Sequence, residues 1–545
     1  MLKKVFVAPD PGRLRLRSAT RAVLGIALAV GLCGTAGHSM VAAITGGLAA
    51  LLALFTVTDA TVRGQAVTTA LLPVVGFPVL ALAALLHDHP LPRDLAFLAI
   101  VGAGVYARRW GPRGHSLGVF AFMAFFVTQF LGTVPAQLPE LYAAVLLSLL
   151  ASSAVRFGLW CYERRFAPPA AVPTPFDGGR GLGRATTRQA VQATAAAGFA
   201  LVVGQVLSHE RWYWAVGAAW WIFVNTTSRG ETLVRGFRRV LGTVIGIGVG
   251  LLVAVPLHGE PLASAALIGL CVFGIFYTAA VSYTWMMLAV TVMASLLYGL
   301  LGVLDSGLLA LRLVETGVGL AGAALAVLFV LPVTTHATTD AWIARALRCV
   351  HGCTTAAARR LAGDPDADPA PLAAELEVLL GRARLSLAPL VHPLSPLRAR
   401  KARARRVLAL LDDCAREVRG LTSVAADPEA SHDARLAAAC WRVEIALQAL
   451  VTPAPGAERA EQPEESQESQ QSGQAVPAAP AAPAAPAAPA APAAPAAPAA
   501  PAVLHHHPVT EAALHHLHGL ERVLVDLAVP LRSSPRASAA FQNLP

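Results

Sequence analysis

The sequence predicts an all-α polytopic membrane protein, built as two six-helix transmembrane halves followed by a cytosolic helical domain. Three observations carry that expectation. Hydrophobic residues make up 55% of the 545-residue chain and charged residues only 14%, with a mean hydropathy of +0.56, which excludes an ordinary soluble globule. Apolar runs recur as far as Pro332 at close to the roughly 20 residues that span a ~30 Å hydrocarbon core as a helix. Basic residues then concentrate in alternate loops, the asymmetry that orients membrane proteins.

The opening segment, 1–20, carries Lys3, Lys4, Arg13, Arg15 and Arg17. It resembles a signal-peptide n-region, but no clear small-residue cleavage site precedes a polar mature domain, so the first apolar run reads as a retained helix. The first half, 21–165, holds runs at about 21–35, 38–56, 65–86, 93–107, 115–132 and 139–160. A cytosolic linker, 166–186, leads to the second half, 187–333, with runs at about 188–207, 212–226, 235–256, 261–279, 281–303 and 307–332. The first and fourth runs are short for the bilayer, so ten or eleven crossings also fit. With twelve, Arg63, Arg108, Arg109, Arg113, Arg164, Arg165, Arg180 and Arg184 fall in inner loops, and only Arg93 and Arg211 fall in outer ones. Both ends of the membrane region are therefore expected in the cytoplasm, at the cell membrane.

The stretch 211–250 is the most informative. Trp212, Tyr213 and Trp214 suit a water–lipid interface, and Arg229, Arg235, Arg238 and Arg239 suit a cytoplasmic loop. Gly242, Gly246 and Gly250, with Thr243 beside them, put small residues on one helix face, where a neighbouring helix packs closely without a hydrophobic drive from lipid.

The halves echo each other. Thr20-Arg21 opens the first as Thr187-Arg188 opens the second, and VTDATVRGQ at 57–65 parallels VNTTSRGET at 224–232. An even number of crossings in each half makes this a parallel repeat about an axis along the membrane normal, with the central cavity between halves as the binding place.

Beyond the membrane region, 334–451 shows helical spacing among charged residues and reads as a cytosolic helical domain. From 452 to 503 a Glu/Gln/Ser stretch leads into prolines at every third position from Pro477 to Pro501, the pattern of a polyproline II spacer. The remainder, 504–545, contains an amphipathic helix through Leu514, Leu517, Leu520 and Leu524, then a polar tail.

Several functions are excluded or disfavoured. Lys3, Lys4 and Lys401 are the only lysines and none stands in a P-loop context, so ATP hydrolysis is not expected. Arginines between apolar runs serve topology, which argues against nucleic acid as a partner. Seven scattered cysteines make no disulfide framework. Cys349, His351 and Cys353 do not converge on a helix, and His505 to His507 with His515, His516 and His518 lack a defined geometry, so no metal site is assigned. No nucleophile, base and orienting group form a catalytic set, and no cofactor is implied; the chain is not expected to be an enzyme.

Charged and aromatic residues in the apolar region are the candidate site. Arg312 and Glu315 lie three apart on one helix face, where an ion pair lowers the cost of burial; Arg312 suits a substrate carboxylate and Glu315 a transported proton, or the pair only locks the helix against its neighbour while Arg312 reaches headgroups. Arg229, Arg235, Arg238 and Arg239 suit a basic inner vestibule that concentrates anions, or equally topology and lipid contact. Asp59 and Glu231 are further proton-coupling candidates, although pairing with Arg63 and Arg235 is the simpler role. Trp220 and Trp221 suit stacking on an aromatic substrate, or plain helix packing.

The second half resembles the fusaric acid resistance (FUSC-like) family, which includes aromatic acid exporters. The residues that carry the likeness are Arg188, Tyr213-Trp214-Ala215, Ser228-Arg229-Gly230-Glu231-Thr232, Arg235, Arg239, Leu241-Gly242-Thr243, Gly246, and Arg312, Glu315, Thr316 and Gly319. They cover about 186–333, whereas the first half keeps Arg63-Gly64 but has Gln65, Thr68 and Thr69 where arginines would follow. The resemblance implies export of small organic anions, typically aromatic carboxylates, across the cytoplasmic membrane, and proton-driven efflux is the leading expectation. A passive anion channel and an envelope scaffold are the alternatives. Expected partners are the organic anion and the bilayer; a homo-oligomer and an unknown envelope partner are both compatible with the sequence.

Overall fold

A computed structural model describes residues 13–163, 181–224, 226, 229–257, 259–331, 335–364, 366–391, 398–425, 434–451 and 508–532. The expected proline spacer, His505 to His507, Ser228 and most of the 166–186 linker lie outside those residues. Two compact units are present, 1–346 with 374–408, and 347–373 with 409–545.

Regular structure among the described residues is helical. The apolar region contains α1 (Leu14–Thr35), α2 (Met40–Thr56), α3 (Val62–Leu85), α4 (Pro90–Tyr106), α5 (Gly111–Leu131) and α6 (Leu138–Glu163). It continues with α7 (Ala185–Leu207), α8 (Tyr213–Phe223), α9 (Arg229–Leu257), α10 (Pro261–Thr278), α11 (Tyr283–Leu300) and α12 (Ser306–Phe329). Local chemistry sets several boundaries. Ser39 accepts from the Ala42 amide, Thr61 from Gly64 and Asp305 from Gly307, each satisfying an orphan donor of the first turn. Prolines begin α4 and α10, where a missing N–H costs nothing.

Nine stretches of the described residues are long and apolar enough to cross a membrane, so the chain is multi-pass. One of them, Pro90–Leu131, contains both α4 and α5, joined by a 3-10 turn at Ala107–Trp110 and by Gly111 at a φ of 75°. The first run is longer than expected because the helix starts at Leu14 and takes Arg15 and Arg17 into its first turn. The fourth helix is short as expected, with 17 residues, and so are α2, with 17, and α8, with 11.

The packing repeats. In the first six helices α1 packs on α2 and α6, α2 on α6, α3 on α5 and α6, and α4 on α5. The last six show the same scheme, α7 on α8 and α12, α8 on α12, α9 on α11 and α12, and α10 on α11. Contacts between the groups are reciprocal as well, since α4 packs on α7 and α10 on α1. This is the relation that a two-fold axis between parallel repeats produces.

Close approaches depend on missing side chains. A Cβ on Gly242 would lie 2.5 Å from Thr284 O, one on Gly246 2.7 Å from Thr291 Cβ and one on Gly250 2.5 Å from Ser295 Oγ, so the glycine stripe of α9 is the seam against α11. Thr243, next to the stripe, is buried.

The polar C-terminal helices are α13 (Thr335–Leu361), α14 (Ala370–Val391), α15 (Arg398–Ala425), α16 (Ala434–Val451) and α17 (Pro508–Arg532); none is long and apolar enough to span a bilayer. In the second unit α17 packs on α16, burying Leu514, Leu517, Leu520, Leu524 and Leu527. Its flanks pair Arg435 with Glu511 at 2.9 Å and Arg442 with Glu521 at 3.1 Å.

Candidate functional site

A cavity of about 140 Å³ lies between the two six-helix groups of the first unit. Its wall comes from equivalent elements, α2 and α5 on one side and α8 and α11 on the other, with Leu52, Phe55, Phe126, Trp221, Met287 and Met293 among the lining side chains. Arg239 of α9 and Arg312 of α12 complete it as the charged members of an otherwise apolar surface. Both are buried, at 8% and 5% exposure.

The two guanidinium groups are held differently. Arg312 lies over the Trp214 ring, 4.0 Å from its centroid, an arrangement that stabilises a desolvated cation by ~1–2 kcal/mol. Its Nη1 has no hydrogen-bond partner among the described residues. Arg239 donates through Nη1 to Tyr283 Oη at 3.4 Å and to Met287 Sδ at 3.2 Å, while its Nε is unmatched. Buried donors without acceptors are costly in an apolar wall, and a bound carboxylate would satisfy them.

Glu315 is completely buried, and neither carboxylate oxygen accepts a hydrogen bond among the described residues. The ion pair expected between Arg312 and Glu315 does not form within 4 Å. One turn of helix aligns the residues, but Trp214 takes the guanidinium face instead. Glu315 still feels the fields of Arg312 and Arg211.

The other expected residues separate into three groups. Trp221 lines the cavity, whereas Trp220 is core: it stacks on Phe122 with 3.9 Å between centroids and is 1% exposed. Arg235 sits beside the cavity with its guanidinium 4.0 Å from the Tyr283 centroid and donates to Trp221 O at 3.4 Å. Arg229 and Arg238 are exposed and do not line the cavity. Asp59 makes no ion pair with Arg63; its backbone carbonyl accepts from Gln65. Glu231 lies in the first turn of α9, within electrostatic reach of Arg108.

The aromatic triplet also departs from expectation. Trp212 and Tyr213 are each 2% exposed and belong to the protein core, and Trp214 belongs to the cavity wall. They pack on Phe97, Phe126 and Phe130 because α8 lies inside the bundle. Trp and Tyr at the end of an apolar run therefore mark an interhelical aromatic core here.

Two arginines, the half-buried Arg108 and the buried Arg156, hold helix ends in a way that the sequence does not disclose. Arg108, at the α4–α5 break, donates to Gln189 Oε1 and to Phe223 O, both at 3.2 Å, and so satisfies the C-terminal end of α8. Arg156 of α6 donates to Val57 O at 3.2 Å and Ala53 O at 2.6 Å, doing the same for α2. Arg108 had been visible only as part of a basic loop.

In the second unit the histidines meet single charged partners: His516 Nδ1 is 2.9 Å from Glu417, His518 is 2.6 Å from Arg442 and His351 is 2.6 Å from Glu444. Cys349 donates to Leu372 O at 3.2 Å. Among the described residues no three His, Cys, Asp or Glu side chains gather as metal ligands would.

Residues 199–326 match the family model described as fusaric acid resistance protein-like. The match runs from α7 into α12 and takes in Arg239, Arg312 and Glu315. No curated protein and no solved structure matches the chain.

Proposed function

We propose that this chain is a transporter of the cytoplasmic membrane that exports small organic anions, chiefly aromatic carboxylates, using the proton gradient. The observation that supports it most directly is the cavity: apolar walls, two buried cations with unmatched donors, and a volume of about 140 Å³. An enclosed apolar space of roughly 150 Å³ accepts one benzene ring. A single aromatic ring is close to this space in size and apolarity, and the two cations suit a carboxylate carried on it.

In this reading the twelve helices form two transmembrane halves, with short α2, α4 and α8 held by their neighbours and with both ends of the membrane region cytoplasmic. Arg312 and Arg239 receive the carboxylate, Trp214 and Trp221 flank the ring, and Glu315 carries the proton. Arg235 stands at the inner approach. Binding of the anion and protonation of Glu315 then act on neighbouring positions of α12, which gives coupling a physical route.

Proteoliposomes loaded with radiolabelled benzoate test this. Efflux against a benzoate gradient under an imposed proton gradient is the expected result. Flux that only follows the benzoate gradient would make the protein a passive channel, and absence of flux would leave an envelope scaffold.

A further inference from the structure

A second pocket of about 420 Å³ lies at the other end of α8 from Phe223, bounded by His87, Arg93, His209 and Arg211. Arg93 and Arg211 are the two cations that the charge pattern assigns to outer loops, where a positive charge works against orientation. The fold brings both to one concavity, together with two imidazoles.

Their partners differ. Arg93 is held by Asp94 at 3.0 Å and lies over the Trp212 ring at 4.7 Å, and Asp94 also accepts from Gln205 at 2.6 Å. Arg211 hydrogen-bonds to Tyr213, has the exposed Glu210 beside it in the pocket wall, and acts electrostatically on buried Glu315. Glu210 is exposed, so solvent weakens its hold on the Arg211 charge. His87 Nδ1 is buried without a hydrogen-bond partner.

Phe130 lines both this pocket and the central cavity. Its ring centroid is 5.6 Å from that of Tyr298, 5.7 Å from Trp214 and 6.4 Å from Tyr213. Phe130, set in an aromatic cluster, is thus shared by the linings of a space with two arginines and another with two more. Side-chain rotamers change far faster than helices move.

We infer that the His87–Arg93–His209–Arg211 pocket is a second binding site for carboxylate anions, on the exit side of the central cavity, with Phe130 as the movable partition between them. The inference rests on the transport reading and adds to it a release site and an outer gate. Arg211 and His87 meet the carboxylate, and Phe130 presents an apolar face to the substrate from either side.

The test combines calorimetry and flux on the full chain in lipid. In nanodiscs, Arg211→Gln should weaken one class of benzoate site about tenfold, as loss of a charged hydrogen bond does, while Arg312→Gln leaves that class and removes the other. In proteoliposomes without a proton gradient, Phe130→Ala should raise passive benzoate flux about tenfold, and Phe130→Leu, which keeps the partition filled, should stay near wild type. Benzoate binding that is the same in Arg211→Gln as in wild type overturns the site. Passive flux that does not distinguish Phe130→Ala from Phe130→Leu at equal folded yield overturns the gate. If wild type moves no benzoate, the transport reading fails by itself, and the calorimetry still decides whether the pocket binds an anion.

Discussion

The guanidinium of Arg312 sits 4.0 Å above the ring centroid of Trp214, and this contact, not an ion pair with Glu315, holds the cation at the cavity wall. A cation fixed by a ring keeps its hydrogen-bonding edge free. A carboxylate partner would instead have occupied those donors.

Arg312→Gln should therefore lower benzoate efflux by about 10- to 100-fold with normal membrane levels. Arg312→Lys should recover only part of it, since an ammonium neither stacks nor forks as a guanidinium does. Initial efflux rates at several benzoate concentrations read both.

Trp214→Leu should weaken binding by roughly 3- to 30-fold, the loss of one desolvated cation–π contact. Trp220→Leu, in the core beside Phe122, should instead lower thermal stability. Comparing the binding constant with the unfolding midpoint separates the two.

Glu315→Gln removes a buried carboxylate that accepts no hydrogen bond among the described residues. The expected result is an unfolding midpoint equal to or above wild type, together with loss of proton-driven uphill efflux while benzoate exchange persists. A lower midpoint with coupling intact would remove Glu315 from the proton route.

Along α9, Gly246→Ala should destabilise the protein by about 1–3 kcal/mol, because the new methyl meets Thr291. Gly248, two residues on, has nothing within 4 Å of a built Cβ. Gly248→Ala should be neutral or stabilising by up to about 1 kcal/mol. Thermal unfolding in detergent is the measurement.

Topology and thiol chemistry give two further checks. A reporter fused after Gly111 should be cytoplasmic and one after Pro135 external. In the second unit, burial first, then Asp413 and Glu417, pushes the Cys414 thiol up to about 12. Cys414 should resist iodoacetamide at pH 8 until the chain is unfolded, whereas exposed Cys161 reacts.

The helices of the membrane region were legible because apolar length is a direct requirement of lipid, and the α9 seam was legible because glycine at every fourth position has few other uses. Arg312 and Glu315 stood out as charges in an apolar run. The role of Trp212 and Tyr213 was not legible, since the same residues suit a lipid interface and an aromatic core, and only the position of α8 among its neighbours decides. Arg108 was hidden for a related reason: its loop reads as a topology signal, and its acceptors, Gln189 and Phe223, are far away in sequence. The place of Phe130 in two pocket linings depends on how α5, α8 and α11 pack together, which no local pattern reports.

The reciprocal packing of α4 on α7 and α10 on α1 has a consequence for how such a chain comes to exist. A six-helix unit whose fourth helix fits the first helix of its own copy is self-complementary, the surface that makes an isologous dimer. Joining two copies end to end keeps that fit and releases each from having to match the other in chemistry. In this chain the freedom has been used: Arg239, Arg312 and Glu315 all come from one copy, while the other supplies wall alone. The two copies thus enclose one cavity whose cations both come from the second copy.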